Sequence, residues 1–403
     1  METLQRLYEM TALGEIFAHP ESLLMLIIGG VLLYLGVAKK YEPLLLIPIG
    51  FGVILANIPL AGMGVVPQSA VTLSDGSLMN IPTIAKEHGI ISMLYYMLIK
   101  TGLLPPIIFM GVGVLTDFAP MLRNLKLSLF GAAAQLGIFT VFLAAILVGF
   151  SSQEAGALSI IGGADGPTAI YTTIKLAPHL LGPIAIAAYS YMALVPIIIP
   201  MVTKVLCSKK ELKINMKEQD KLYPAKVQIK NMQTLKILFP VVLGVIVIIV
   251  VPSSGILLGM LLFGNFIKEV GSSVARLSDA ASNTILNTAT IFLGLTIGAT
   301  MTAEVFLKTD TLGIIFGGFL AFCLSVTGGI LAVKIYNMFA NKKINPLVGA
   351  TGLSAVPMAS RVANEMALKY DSKNHILQYC MASNIAGVIG SAVAAGVLIS
   401  FLS

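Results

Sequence analysis

Cysteine and charge are what this chain has least of. Its three cysteines, Cys207, Cys323 and Cys380, lie far apart without a CxxC pair, and its four histidines are scattered. That spacing excludes a zinc or iron–sulfur site and a disulfide framework. Charged residues make up only 11% of the 403 positions. No GxSxG elbow, Walker loop, HExxH helix or dinucleotide fingerprint occurs, so the familiar constellations of soluble hydrolases, ATPases and dehydrogenases are absent. What fills the chain instead is apolar: 57% of it is hydrophobic, in runs of about 18 or more residues, the length that crosses a bilayer core. An all-α polytopic membrane protein follows. Thirty-eight glycines point to helices that pack closely or break, as in transporters. Residues 1–22 carry Glu2, Arg6, Glu9 and Glu15 and lack the cationic start of a cleaved signal peptide. The first span is therefore expected from about Leu23 to Val37 in the mature protein.

The few charges are unevenly placed. Nine lysines and no arginine fall between Lys204 and Lys236, against Glu211, Glu218 and Asp220, within a net charge of +7. The stretch 207–236 reads as a cytoplasmic linker obeying the positive-inside rule. A nucleic-acid patch is not expected, because aromatic interleaving is missing and the flanks are spans. On either side of this linker the chain repeats itself. IFMGVG at 108–113 returns as IFLGLT at 291–296, LFGA at 129–132 as IFGG at 315–318, GADG at 163–166 as GATG at 349–352, and YSYMA at 189–193 loosely as YCMAS at 379–383. The offsets stay between 183 and 190, which marks an internal duplication.

Basic residues orient the copies. Arg123 and Lys126 flank the start of the span ending near Phe150, whereas the equivalent second span, about 312–333, is followed by Lys334, Lys342 and Lys343. One copy thus starts inside where the other ends inside, which makes the repeats inverted. Parity then requires segments 156–178 and 345–366 to enter and leave on one side. Each is expected to be a broken or re-entrant helix. The expected organisation is residues 1–206 with the N-terminal span and first repeat, the linker 207–236, and the second repeat 237–403, with about 10–11 transmembrane helices in all.

The first broken segment contains ALSIIGGADGPTAIYTT, in which Asp165 is a lone acid among apolar residues. A carboxylate at membrane depth costs roughly 2.5–3.5 kcal/mol on insertion scales, so it is retained for function or by close pairing. Gly162, Gly163 and Gly166 are expected to permit positive φ and close approach, and Pro167 to stop the preceding helix, which frees carbonyl oxygens beside the acid. The second segment, NPLVGATGLSAVP, offers Asn345, Thr351 and Ser354 with Pro346 and Pro357 as breakers. Such hard oxygen ligands around one carboxylate suit Na⁺, or a proton competing for the same group, better than a soft metal or Ca²⁺. Arg361 reads equally as an anchor beside Glu365 or as an anion clamp at the mouth of the second segment. Tyr191 is either a packing aromatic or a ligand and proton donor. Asn384 is an amide in an apolar helix, near the counterpart of Tyr191 in the other copy.

GGADGPTAIYTT, AYSYMALVP and NPLVGATGLSAVPMASRVANE together resemble the β subunit of the sodium-pumping biotin-dependent decarboxylases, those of oxaloacetate, methylmalonyl-CoA and glutaconyl-CoA. The resemblance covers nearly the whole chain from about residue 20. It implies a carboxybiotin decarboxylase that consumes a proton and drives Na⁺ outward through a multi-pass subunit of a bacterial or archaeal inner membrane. It places the family's essential positions on Asp165, Tyr191, Asn345, Gly349, Ser354, Arg361 and Asn384. By that resemblance Asp165, Ser354, Asn345, Gly349 and Asn384 attend Na⁺, Tyr191 or Ser354 relays the proton, and Arg361 with Asn345 meets carboxybiotin. It also implies partners: a carboxyltransferase (α) subunit that selects the acyl substrate, a biotin carrier, a small single-span membrane subunit and further copies of β. Biotin is then presented by a partner and not held covalently by this chain. The alternative from the residues themselves is a sodium-coupled carrier or cation/proton antiporter without chemistry.

Overall fold

The computed structural model describes residues 11–73, 75–224, 231–355 and 357–403. Among these the chain is helical, and its one β pairing is an isolated bridge between Thr72 and Leu78. Among the described residues seven helices are long and apolar enough to cross a membrane: Pro20–Val37, Leu125–Val148, Met232–Val250, Pro252–Val270, Ser272–Thr300, Thr311–Phe339 and Leu377–Leu402. Two interrupted pairs, Ile81–Ile99 with Leu104–Leu115 and Pro178–Met192 with Leu194–Leu206, raise the number to nine. The sequence suggests more spans because apolar runs such as Pro43–Ala56 form helices of only 14 residues, too short to span alone. Exposed Leu143, Leu147 and Val148 give one of these spans the apolar flank that lipid requires. This is an all-α, multi-pass membrane protein.

The chain divides into two compact units. One comprises Met1–Leu104, Leu181–Ile186 and Asn287–Ile315; the other comprises Pro105–Leu180, Ala187–Leu286 and Phe316–Ser403. Small residues organise the first unit. A Cβ at Gly52 would lie 2.3 Å from the Leu295 carbonyl oxygen, and one at Gly298 would lie 2.2 Å from that of Ile49. These backbones touch, as membrane helices without a hydrophobic drive between them tend to do. Asn57 closes the bundle, donating to the Val53 and Met301 carbonyls at 2.8 and 2.7 Å and accepting from the Ala303 N–H at 2.9 Å.

The second unit holds both expected breaks. Its site-building helices are α1 (Leu125–Ala134), α2 (Leu136–Val148), α3 (Ser152–Ser159), α4 (Gly166–Leu176), α5 (Leu181–Leu206), α6 (Lys209–Leu212), α7 (Met216–Leu222), α8 (Thr309–Phe339), α9 (Pro346–Ala350), α10 (Met358–Tyr370) and α11 (Leu377–Leu402). Only the part of α5 from Ala187 onward and the part of α8 from Phe316 onward belong to this unit. Three of the four landmark pairs lie on elements of this unit: LFGA on α1 and IFGG, from Phe316 onward, on α8; GADG and GATG at the two breaks; YSYMA on α5 and YCMAS on α11.

Local chemistry sets both broken elements. A capping box of Ser151 and Glu154 starts α3, and a short 3₁₀ turn, Ile160–Gly163, ends it. Asp165 then caps α4, with Pro167 in its first turn. The left-handed residue at the break is Ala164, φ 57°. The glycines expected to take positive φ are used for close approach instead: a Cβ on Gly163 would lie 3.2 Å from Ser391 Cβ, and one on Gly166 2.5 Å from the Tyr189 ring. The element returns to where it began, since His179 Nε2, just beyond α4, lies 2.9 Å from Glu154 Oε1. In the second element α9 ends at Ala350 and α10 resumes at Met358. Its ends also converge, because the amides of Asn345 and Asn374 both donate to the Ile214 carbonyl, at 3.0 and 2.9 Å.

Candidate functional site

The two breaks meet. Ser354 N–H donates to the Gly163 carbonyl at 3.0 Å, which brings Ser354 beside Asp165. Ser354 Oγ donates to Asp165 Oδ2 at 2.7 Å, and so does Ser391 Oγ of α11, also at 2.7 Å; the two hydroxyls are 3.4 Å apart. Asp165 Oδ1 accepts the Thr168 N–H at 3.2 Å. The carboxylate is 4% exposed and Ser391 fully buried, whereas Ser354 is partly exposed. Approach to the oxygens therefore lies on the Ser354 side. Thr168 Oγ1, Thr172 Oγ1 and the Tyr189 hydroxyl are buried without a hydrogen-bond partner. Thr168 follows the acid by one turn, and the Tyr189 hydroxyl oxygen would be 3.0 Å from a Cβ on Gly166. Buried oxygens rarely go unsatisfied in groups. One carboxylate, two hydroxyls that can turn their lone pairs outward and further unused hydroxyls form a donor set for a small hard cation. Among the described residues no cluster of three or more His, Cys, Asp or Glu could hold a metal.

The other residues singled out from sequence take different places. Asn384 donates to the Leu353 carbonyl and accepts from Ser360 Oγ at 3.4 Å. It braces the backbone next to Ser354 without touching Asp165. Tyr191 is buried and packs against Phe319 and Phe322 at 6.0 Å centroid distances; it and Ile161, in the turn that ends α3, both border Gly318. The tyrosine beside the acid is Tyr189. Gly349 is a contact point: its Cβ would lie 2.1 Å from the Gly329 carbonyl oxygen. Arg361 is exposed on α10, and among the described residues it makes no ion pair with Glu365.

Asn345 faces the linker. Its amide donates to the Leu212 and Ile214 carbonyls at 2.9 and 3.0 Å while its oxygen caps α9 through the Leu347 N–H. Its amide is thus spent on the linker and its oxygen on the cap, rather than on the acid. The linker is itself folded as α6 and α7, with a Ser208–Glu211 capping box and Asn215 as the second cap. Asn215 also donates to Asp371 at 2.8 Å. The Lys373 backbone N–H and that amide hold the Asp371 carboxyl below the usual carboxylate range. Residues 225–230 of the linker lie outside the described residues.

Ser391, Thr168 and Tyr189 are the additions that sequence reading missed. A serine in an apolar helix carries no local signal, and Ser391 is 226 positions from Asp165. Removing either serine hydroxyl takes one oxygen from the donor set, and losing one ligand worth about 1.4 kcal/mol is a tenfold loss of affinity. Ser354→Ala and Ser391→Ala are each expected to raise half-saturating Na⁺ at least tenfold, read as Na⁺-dependent thermal stabilisation of the purified protein. Ser354→Thr, which keeps the hydroxyl, should lose much less.

The chain is similar to known proteins along most of its length. A model of the Na⁺-transporting oxaloacetate decarboxylase beta subunit family matches residues 21–402. The chain is 48% identical to the methylmalonyl-CoA decarboxylase subunit beta of Propionigenium modestum over 385 residues, 94% of each chain. It is 42% identical to the oxaloacetate decarboxylase beta chain of Klebsiella pneumoniae, covering 100% of this chain and 99% of that one. To the methylmalonyl-CoA decarboxylase subunit beta of Veillonella parvula it is 44% identical, covering 94% and 93%. With matches of this extent, the chain belongs to the family of Na⁺-transporting oxaloacetate decarboxylase β subunits.

Proposed function

We propose that this chain is the membrane subunit of a primary Na⁺ pump, decarboxylating carboxybiotin and using that step to export Na⁺. The observation that carries this reading is the buried Asp165 carboxylate at the meeting of two broken elements, with two serine hydroxyls on one of its oxygens. A site of this kind can exchange Na⁺ for H⁺, because the same oxygens hold either. Cleaving the N–CO₂⁻ bond of carboxybiotin leaves its electron pair on the ureido nitrogen, which must take up a proton. Asp165 with Ser354 is the group placed to hold and yield that proton as Na⁺ is bound or released. Tyr191, which borders Gly318 together with Ile161 of the first break, is a second donor for the relay. Arg361, exposed and without an ion pair to Glu365, suits the approach of a carboxylate from solution.

Its partners in this reading are a carboxyltransferase subunit, a biotin carrier, a small single-span membrane subunit and further copies of itself, in a bacterial or archaeal inner membrane. The names of the relatives, β subunits of decarboxylases, support a multi-subunit setting. Membranes holding the chain should consume free carboxybiotin in a Na⁺-dependent manner. Na⁺ flux with no CO₂ release would replace this reading with that of a carrier.

A further inference from the structure

Gln135 stands at the interruption between α1 and α2 and is 6% exposed. Its Nε2 donates to the Gly131 carbonyl of its own helix at 3.1 Å, and to the carbonyls of Gly352 and Gly387 at 3.4 and 3.3 Å. These last two lie directly behind the site's hydroxyls. Gly352 is two residues before Ser354 in the second break, and Gly387 is one helical turn before Ser391 on α11. The two backbones are already in contact, since a Cβ on Gly387 would sit 2.3 Å from the Gly352 carbonyl oxygen. The start of α2 meets the other break: a Cβ on Gly162 would be 3.4 Å from the Gly137 carbonyl carbon. One amide thus ties together the segments that carry Ser354 and Ser391, beside the segment that carries Asp165. Its own Oε1 is buried without a partner. The amide cannot be turned over to satisfy that oxygen, because Oε1 would then face three carbonyls and nothing would donate to them.

We propose that Gln135 is a positioning residue for the cation site, setting the separation of the Ser354 and Ser391 hydroxyls through the Gly352 and Gly387 carbonyls. This rests on the reading that Asp165, Ser354 and Ser391 bind Na⁺. Ligands held slightly out of place lose affinity without being removed, so the mark of such a residue is a changed Na⁺ requirement in a folded protein.

The test uses the full chain in detergent and reads the Na⁺ concentration that gives half-maximal thermal stabilisation, so it needs no decarboxylation. Gln135→Met keeps length and volume and removes the donors. It is expected to raise half-saturating Na⁺ about tenfold, with the Tm in the absence of Na⁺ changed far less. Gln135→Glu supplies the second readout. An ionised carboxylate offers the three carbonyls no donor, whereas a protonated one can donate to one of them. The ratio of variant to wild-type half-saturating Na⁺ should therefore fall toward one as pH is lowered. A purely structural role predicts the opposite pattern: a lower Tm without Na⁺, an unchanged half-saturating concentration and a pH-independent ratio. That pattern overturns the proposal. If Gln135→Met does not fold, the pH dependence of the Gln135→Glu ratio decides alone. A wild-type protein that Na⁺ does not stabilise at all refutes the Na⁺ site itself, and this inference falls with it.

Discussion

Asp165→Asn is expected to abolish the Na⁺ response while leaving the protein folded. The asparagine oxygen can still accept the Thr168 N–H that starts α4, so the helix cap survives. The new amide would point at two serine hydroxyls, and each can rotate to accept where it formerly donated. What disappears is the charge. An opposite charge at about 4 Å is worth about 4 kcal/mol at an effective dielectric of about 20, equivalent to about a thousandfold in affinity. Half-saturating Na⁺ should thus move out of the measurable range, and Na⁺-dependent consumption of carboxybiotin should be lost with it. A half-saturating concentration within about twofold of wild type would remove Asp165 from the ion site. Asp165→Glu probes geometry, since it keeps the charge but moves it about one methylene toward Ser354 and Ser391. Full Na⁺-dependent turnover in that variant would show that the site tolerates displacement, against the tight packing of Gly163 on Ser391.

Asp165 was legible in the sequence because an isolated carboxylate in an apolar run is too costly to be incidental, and Gly-Pro punctuation marked the break around it. Ser354 followed from the duplication, which paired GADG with GATG. The same logic could not reach Ser391 or Tyr189, whose hydroxyls sit in ordinary apolar helices and join the site only through packing. It places Asn345 and Gly349 on the second element without showing what they touch there, the linker for Asn345 and Gly329 for Gly349. An N-capping asparagine and a ligating asparagine look alike in a sequence, and what separates them is the pair of linker carbonyls that the Asn345 amide meets. The fold of the linker is hidden in the sequence for a related reason. Lysine content marks the side of the membrane, but it says nothing of the capping box, the Asn215 cap and the backbone acceptors that fold Lys209–Leu222 onto the second broken element. Charge parity leads to the expectation that both elements return to their starting end, and the Glu154–His179 and Ile214 contacts lie between the ends of each.

Gly349→Ala is expected to act on stability, and this separates a packing glycine from a ligand. The added Cβ would lie 2.1 Å from the Gly329 carbonyl oxygen and 2.6 Å from its carbon. Both are backbone atoms of α8, so no side-chain rotation relieves the overlap. Helix α9 would have to back away, yet it is held at its start by Asn345 on the linker and at its end by Thr351 Oγ1 on the Cys380 carbonyl at 3.1 Å. Overpacking against freer neighbours costs about 1–3 kcal/mol, and this site falls at or above the upper end. A drop in Tm of about 3 °C or more is expected for a chain of this length, with reduced yield of folded protein. Gly317→Ala on α8, where a Cβ meets nothing within 4 Å, is the matched control. It should leave the Tm unchanged or raise it slightly, since alanine is the better helix former by about 1 kcal/mol. Were the Gly349 carbonyl a cation ligand with room around it, the alanine variant would keep its Tm and shift only the Na⁺ requirement. Because α9 leads directly into the Thr351–Ser354 turn, the packing account predicts that any Na⁺ defect in Gly349→Ala appears together with the loss of stability, never without it.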